Sequence, residues 1–352
     1  MASFRLCRRY SLNRLNIRVT GLAYCEHAYE ILRQIVKMTD KSPVLISVVV
    51  PTLNRPEPLA RALDSLSAQR LPEGLGTEVV VIDNSRDGSA RGTVDACIAR
   101  NRLPIVYVLA PVPGVANARN AGVRAAQGRW IAFLDDDEEA SPGWLACHVA
   151  TLQATGADAS FGPVVAKAEA GQLTPAFAAY FSRQLGRSDR ADITDLSALL
   201  GTNNSVFDRG RCLDKAEVFD TSLNEVGGED SLLLRQLADS GRRFAWTPGA
   251  EVIEWVPPKR MNWAYVRRRR FLSGQIRTFV HHKLMPPRWA SVALWMGVGA
   301  AQAALEFAKA AIFLSFDRER AEIARSKAWG GLGKLFWGER FRPKLYGSGL
   351  VS

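Results

Sequence analysis

Through the first half of the chain, short, mostly apolar runs alternate with stretches in which apolar residues recur at helical spacing. Val44 to Val50, Glu78 to Ile82, Ile105 to Leu109 and Trp130 to Leu134 are the runs. Pro56 opens a helical pattern through Leu59, Leu63 and Leu66, and a second helix is expected from about Val115 to Ala126. Short apolar runs without alternation predict strands covered on both faces. Strands alternating with helices specify a mostly parallel central sheet with helices on both sides, an α/β fold of Rossmann-like type.

The second half is less regular. Asp158 to Val165 and Gly201 to Phe207 read as strands, the latter with Thr202, Asn203 and Asn204 inside it. Gly227-Gly228 precedes Glu229-Asp230, which opens a helix through Leu232 to Leu234 and Leu237 closed by Gly241. Acidic residues at a helix start are favoured by the macrodipole. Two glycines before them also let the backbone approach a ligand and hold the carboxylates at an open rim.

The candidate chemistry lies at strand ends. The run Trp130 to Leu134 stops on Asp135, Asp136 and Asp137. Ligands bind at the carboxyl ends of strands in open α/β sheets, and crowded carboxylates need a positive partner. Asp135 and Asp137, spaced D-x-D, suit a hard divalent cation whose other ligands are phosphate oxygens; a solvated acidic loop is the plainer alternative. The same rim should carry Pro51-Thr52 and Asp83.

Charge adds a polyanionic partner to this picture: the net charge is +11 over 352 residues, which favours nucleic acid, an anionic membrane surface or phosphorylated substrates. Five dispersed cysteines without C-x-x-C spacing argue against a disulfide framework or a zinc site. From Trp255 to Arg288 there are nine Lys or Arg and no acid, including Arg267 to Arg270. Trp289 to Leu305 then gives seventeen residues without a charge, and the apolar stretch resumes from Ala310 to Phe316. This is short for a spanning helix, and an amphipathic helix lying in a membrane interface is the favoured reading, with a buried helix as the alternative. Residues 1–40 are a basic extension without a secretory signal, and the start at Met1 reads as too early, with Met38 just before the first strand. The expected division is this extension, a catalytic unit over 41–258, and a basic, amphipathic helical region over 259–352.

Taken in order, Pro51-Thr52-Leu53-Asn54-Arg55, Asp83-Asn84, Ala118-Arg119-Asn120-Ala121-Gly122, Asp135 to Asp137 and Gly228-Glu229-Asp230 resemble the family 2 glycosyltransferases, with their nucleotide-sugar-binding GT-A fold. Phe219-Asp220, Val256-Pro257-Pro258 and the Arg-rich segment up to Gly274 resemble the succinoglycan-type bacterial exopolysaccharide enzymes within that family. The resemblance spans roughly residues 44 to 275. It implies donor contacts from Pro51, Thr52, Asn54, Asp83, Arg119, Asp135 and Asp136. It implies a divalent cation (Mn²⁺ or Mg²⁺) on Asp137 and Asp135. Many relatives carry a metal-binding His where this chain has Glu254-Trp255, so Glu254 either replaces it as an oxygen ligand or the third ligand is missing. Asp230 is expected to be the catalytic base, with Glu229 as its orienting neighbour or substitute. Asn203 and Asn204 are candidates for acceptor contacts.

The Q-x-x-R-W signature of processive synthases does not follow the Glu-Asp pair, which favours single transfer. The expected activity is inverting, metal-dependent transfer of one sugar from a nucleotide-diphosphate donor, UDP-linked. The acceptor is a glycan or lipid-linked glycan, and the site of action the cytoplasmic face of the inner membrane, with peripheral attachment. No nucleic-acid partner is expected, since no recognised module is present. Two alternatives stand beside it: a nucleotidyltransferase acting on sugar phosphates, although Pro51 to Arg55 is not a Gly-rich phosphate loop, and a non-enzymatic basic membrane-binding scaffold, which leaves the ordered carboxylates unexplained.

Overall fold

The structure, a computed structural model, describes residues 44–100 and 103–341. The expectations for residues 1–40 and for a start at Met38 lie outside the described residues. The first half follows the predicted alternation: β1 (Val44–Thr52), α1 (Pro56–Ser67), β2 (Leu75–Asp83), α2 (Arg91–Ala99), β3 (Ile105–Leu109), α3 (Val115–Ala125) and β4 (Trp130–Phe133). β5 (Glu138–Ala140), α4 (Trp144–Thr155), β6 (Ala159–Phe161), β7 (Val164–Ala168), α5 (Pro175–Phe181), β8 (Ser205–Asp208) and α6 (Arg209–Cys212) come next. They are followed by α7 (Glu229–Asp239), β9 (Phe244–Trp246), β10 (Val252–Val256), α8 (Trp263–Lys283), α9 (Trp289–Phe313) and α10 (Arg318–Leu335).

Seven strands form one sheet in the order β3-β2-β1-β4-β8-β6-β9. β1, β2, β3 and β4 run parallel, and β8 pairs antiparallel with both β4 and β6. Chain order reverses beside β1: β2 lies on one side of it and β4 on the other. A crevice opens at such a switch point, beyond the carboxyl ends of β1 and β4. A second, three-stranded sheet has the order β5-β10-β7 and begins directly after the Asp135 to Asp137 turn.

The period of two along β1 explains why both faces are covered. Ile46, Val48 and Val50 join a core with Leu63, Trp130 and Trp144, while Val49 joins the opposite core with Ile82, Phe133, Phe207 and Phe219. Helix α3 approaches β1 at Gly122, where an added Cβ would lie 2.3 Å from Val49 Cγ1. That approach brings Arg119, one turn earlier on the helix, to the rim.

Two strand expectations are corrected. The apolar segment from Asp158 to Val165 is split between two sheets, because Gly162-Pro163 interrupts it and a Cβ at Gly162 would collide with the Ala250 carbonyl. Residues 201–204 form a loop ahead of β8, so Asn203 and Asn204 do not sit in a strand. The helices after residue 259 are present, but they are packed onto the first unit. Leu223 and Leu232 share a core with Phe279, Val280 and Leu284 of the α8 segment, and Ile276 packs against it.

Candidate active site

The switch point gathers the first set of predicted residues. Thr52 closes β1 and donates from Oγ1 to Asp136 Oδ2 at 2.7 Å. Asn54 takes a left-handed φ of 53°, a turn conformation that Asn tolerates better than most side chains. The chain then turns into α1 with Arg55 facing back toward the aspartates. Arg55 spans two of them, Nη1 at 2.6 Å from Asp136 Oδ1 and Nη2 at 3.0 Å from Asp137 Oδ2. Pro51 and Thr52 lie in register with Ile82 and Asp83.

Asp83 is fully buried. Its carboxylate accepts hydrogen bonds from the Ser85 and Ala90 amides and the Tyr107 hydroxyl. Burial alone would raise its pKa, but these bonds outweigh burial and hold it below the ordinary carboxylate value. These oxygens thereby also fold the loop after β2.

Asp135, Asp136 and Asp137 follow β4 into the crevice, with Glu138 beside them. Asp136, Asp137 and Glu138 are buried. Glu254 reaches the same place from β10, directly opposite Glu138 in the β5–β10 pairing. Burial raises the pKa of Asp135 and takes Asp136 up to about 7; Arg55 opposes the rise in Asp136 and the neighbouring Asp137 adds to it. Burial and repulsion from Asp137 push Glu254 up to about 8. Glu138, buried beside Asp135, is also raised well above the usual range.

The donor set is hard, all-oxygen and richer in carboxylates than in the guanidinium groups that touch it. Arg55, Arg119 and Arg260 oppose Asp135, Asp136, Asp137 and Glu254. Such a set fits a divalent cation. The predicted ligand trio of Asp135, Asp137 and Glu254 is nevertheless not assembled. Among the described residues no three His, Cys, Asp or Glu side chains converge at metal-binding spacing. The reason is visible: Arg260 Nη1 lies between two of them, 3.2 Å from Asp137 Oδ2 and 3.8 Å from Glu254 Oε1.

The second set stands across the crevice. Gly227 and Gly228 both have left-handed φ, 75° and 94°, so only glycine makes this entry to α7 without strain. The tight turn sends Glu229 inward and leaves Asp230 at the rim. Glu229 is buried, and its Oε1 accepts from Arg119 Nη1 at 2.5 Å while its Oε2 has no hydrogen-bond partner. Burial, then repulsion from Asp230, raise its pKa to about 7 despite Arg119. Asp230 is partly exposed. Its Oδ1 accepts from the Ser231 amide at 2.6 Å, and its Oδ2 faces Gly201, where an added Cβ would lie 3.2 Å away. The bare Gly201 backbone keeps space in front of that oxygen.

The two predicted acceptor residues part company. Asn203 lies on the cavity side of the loop, donating to Glu138 Oε1 at 2.8 Å and accepting from Arg183 Nη1 at 3.1 Å. It lines a cavity of about 410 Å³ together with Tyr180, Phe181, Arg183, Leu199 and Glu254. Asn204 is fully buried, with φ 50°. Its side chain is spent on Trp144 Nε1, His148 Nε2 and the carbonyls of Pro163 and Ala250. Asn204 therefore cannot touch an acceptor; it fixes the loop that presents Asn203.

Arg55, Arg260, Glu138 and Arg183 were not singled out from the sequence. Arg55 ends the Pro51 to Arg55 motif without having been given a role, and Glu138 adjoins the aspartate triplet, which is a usable signal. Arg183 and Arg260 carry none, because only tertiary contact brings them to the crevice.

With this geometry in view, the chain matches the Glycosyl transferase family 2 model over residues 47–197 and the Glycosyl transferase family group 2 model over residues 130–316. It is 34% identical over 232 residues to the succinoglycan biosynthesis protein ExoM of Rhizobium meliloti, covering 65% of this chain and 73% of that protein. The chain belongs to glycosyltransferase family 2. A second relative, ExoO of the same organism, is 30% identical over 61% of each chain. Among solved structures, the mannosyltransferase PcManGT from Pyrobaculum calidifontis, in complex with GDP-Man and Mn²⁺, superposes with a TM-score of 0.56 at 20% identity. That match covers 90% of this chain and 97% of that one. The fold is GT-A, and the chain is a glycosyltransferase, which sets aside the nucleotidyltransferase and scaffold alternatives.

Proposed function

We propose that this glycosyltransferase moves a single sugar, with inversion, from a UDP-linked donor to a glycan or lipid-linked glycan in cell-surface polysaccharide synthesis. The observation that carries the reading is the division of labour between Glu229 and Asp230. Arg119 occupies the buried carboxylate, while the adjacent one stands partly exposed before an open backbone at Gly201. Asp230 accepts the proton of the acceptor hydroxyl as its oxygen attacks the anomeric carbon and the bond to the diphosphate breaks on the opposite side. One base on one face suits a single displacement, hence inversion. The exopolysaccharide assignment rests on the likeness to ExoM and ExoO.

The donor diphosphate would lie over the Asp135 to Asp137 turn, with Asp137 as the first cation ligand and Asp135 or Glu254 as the second. A bound Mn²⁺ or Mg²⁺ would neutralise the charge that gathers on the leaving diphosphate. Arg119 and Arg55 keep the carboxylates apart and oriented in the meantime. The acceptor would enter through the cavity beside Tyr180, Phe181 and Asn203, an aromatic wall next to polar groups that suits a sugar ring.

Peripheral attachment to the cytoplasmic face of the inner membrane completes the reading. Helix α9 is long and apolar enough to cross a membrane by length and composition, and little of it is buried. Leu294, Leu305 and Ile312 are more than half exposed, whereas the helix's only two charges, Glu306 and Lys309, pair with each other. An outer face this long and apolar, broken by the half-exposed Lys309 beside Leu305 and Ile312, suits shallow insertion among lipid headgroups. Two arginines of the Arg267 to Arg270 run already have partners in the fold. Arg267 is paired with Glu322, and the Arg270 guanidinium lies 4.9 Å from the centre of the Tyr180 ring.

A panel of UDP- and GDP-linked sugars, titrated with and without Mn²⁺ and followed by NMR of the products, tests the reading. Release of a nucleoside diphosphate with an inverted anomeric configuration is expected. Retention, or release of pyrophosphate, would overturn it.

A further inference from the structure

Asp137 Oδ2 takes two guanidinium groups at once, Arg55 at 3.0 Å and Arg260 at 3.2 Å. The two are not held alike. Arg55 has a second anchor on Asp136 at 2.6 Å, so it stays when Asp137 is lost to it. Arg260 has only the distant Glu254, 3.8 Å away, as its other carboxylate, and its Nε is buried with no hydrogen-bond partner. Its backbone belongs to a three-residue turn, Pro258–Arg260, between the end of β10 and the Asn262 cap of α8. Two like charges on one oxygen repel, and the less firmly held one is the one to leave.

We infer that Arg260 is a resident counter-ion of the donor site that gives up Asp137 when a divalent cation arrives and then pairs with the donor's diphosphate. The inference rests on the proposed donor site but concerns binding alone. It follows from the chemistry of the contacts. A cation on Asp137 Oδ2 repels and competes with a guanidinium on the same atom, and a freed, partly buried guanidinium beside a diphosphate is a forked donor matched to phosphate oxygens. Arg260 so placed would keep the carboxylate cluster neutralised while the site is empty and add a positive charge to the leaving group once it is full. It is a binding and positioning residue, not the base.

The test is calorimetry on the full chain with Mn²⁺ alone, then with UDP and GDP in saturating Mn²⁺. Arg260→Gln should bind Mn²⁺ about tenfold more tightly or better, the worth of one charge-assisted hydrogen bond, and should bind both nucleoside diphosphates more weakly. A residue with a merely structural role would weaken both or change neither, and either outcome overturns the inference, as does a chain that binds no Mn²⁺ in either form. On the unaltered protein, hydrogen exchange of the 257–262 turn should quicken with Mn²⁺ alone and slow again when UDP or GDP is added. No change in that turn would contradict the exchange of partners even if Arg260→Gln failed to fold. Sugar transfer is measured separately, so a wrong donor assignment and a wrong role for Arg260 give different results.

Discussion

Arg119 Nη1 lies 2.5 Å from Glu229 Oε1, and its other terminal nitrogen lies 3.5 Å from Asp135 Oδ1. One guanidinium thus ties the start of α7 to the end of β4, the two places that supply the proposed base and the proposed cation ligands. Because Glu229 is buried and Arg119 is its guanidinium partner, removing Arg119 leaves that carboxylate uncompensated.

Arg119→Gln should therefore destabilise the chain by about 3–5 kcal/mol, the usual result of breaking a buried pair from one side. The double variant Arg119→Gln, Glu229→Gln should regain much of that stability. Chemical denaturation measures both, and a single-variant loss under about 1 kcal/mol would show that the pair is not sealed from water.

Acidity should matter in an unusual direction. Glu254 has a folded pKa of about 8 against 4.5 for the free side chain, and Glu229 one of about 7. A carboxyl raised in the folded state binds its proton more tightly there than when unfolded. Its contribution to stability is then full below about pH 4.5 and is lost as pH rises through 7 to 8. Without a divalent cation, the thermal midpoint should fall between pH 5 and 8, and Glu254→Gln should flatten that fall. A midpoint that rises over this range in the unaltered protein, and equally in Glu254→Gln, would contradict the crowding of carboxylates described here.

Much of this was legible beforehand, and the reason differs by half. The four parallel strands and their connecting helices announce themselves because β1, β2 and β4 are largely buried on both faces, the edge strand β3 is still mostly apolar, and each helix buries one face. The order Thr52, Asp135 to Asp137, Glu229-Asp230 marks the crevice, since polar residues at strand ends and after paired glycines have nowhere else to point. The loop at 201–204 was misread as strand: its polar residues are buried for structural reasons, Asn204 spending every polar atom of its side chain inside the core. Arg183 and Arg260 were invisible because long side chains reach the site across the fold. Which guanidinium groups of the Arg267 to Arg270 run already have partners, as Arg267 has in Glu322, is not readable from linear charge density.

For the membrane, the exposed face of α9 should matter more than the arginine run. Leu294→Glu, Leu305→Glu and Ile312→Glu together should release the protein from anionic vesicles in a flotation assay. Stability should be nearly unchanged, since exposed positions carry little packing. Vesicle binding that survives all three would move attachment elsewhere in the chain.

The central claim is that Asp230 accepts the acceptor's proton, and Asp230→Asn tests it most directly. The amide keeps size and hydrogen bonding at Ser231 but cannot take a proton. With transfer rate and nucleoside diphosphate affinity measured on the same sample, the rate should fall by about 10²- to 10⁴-fold while affinity is unchanged. Near-normal transfer by Asp230→Asn would contradict the account.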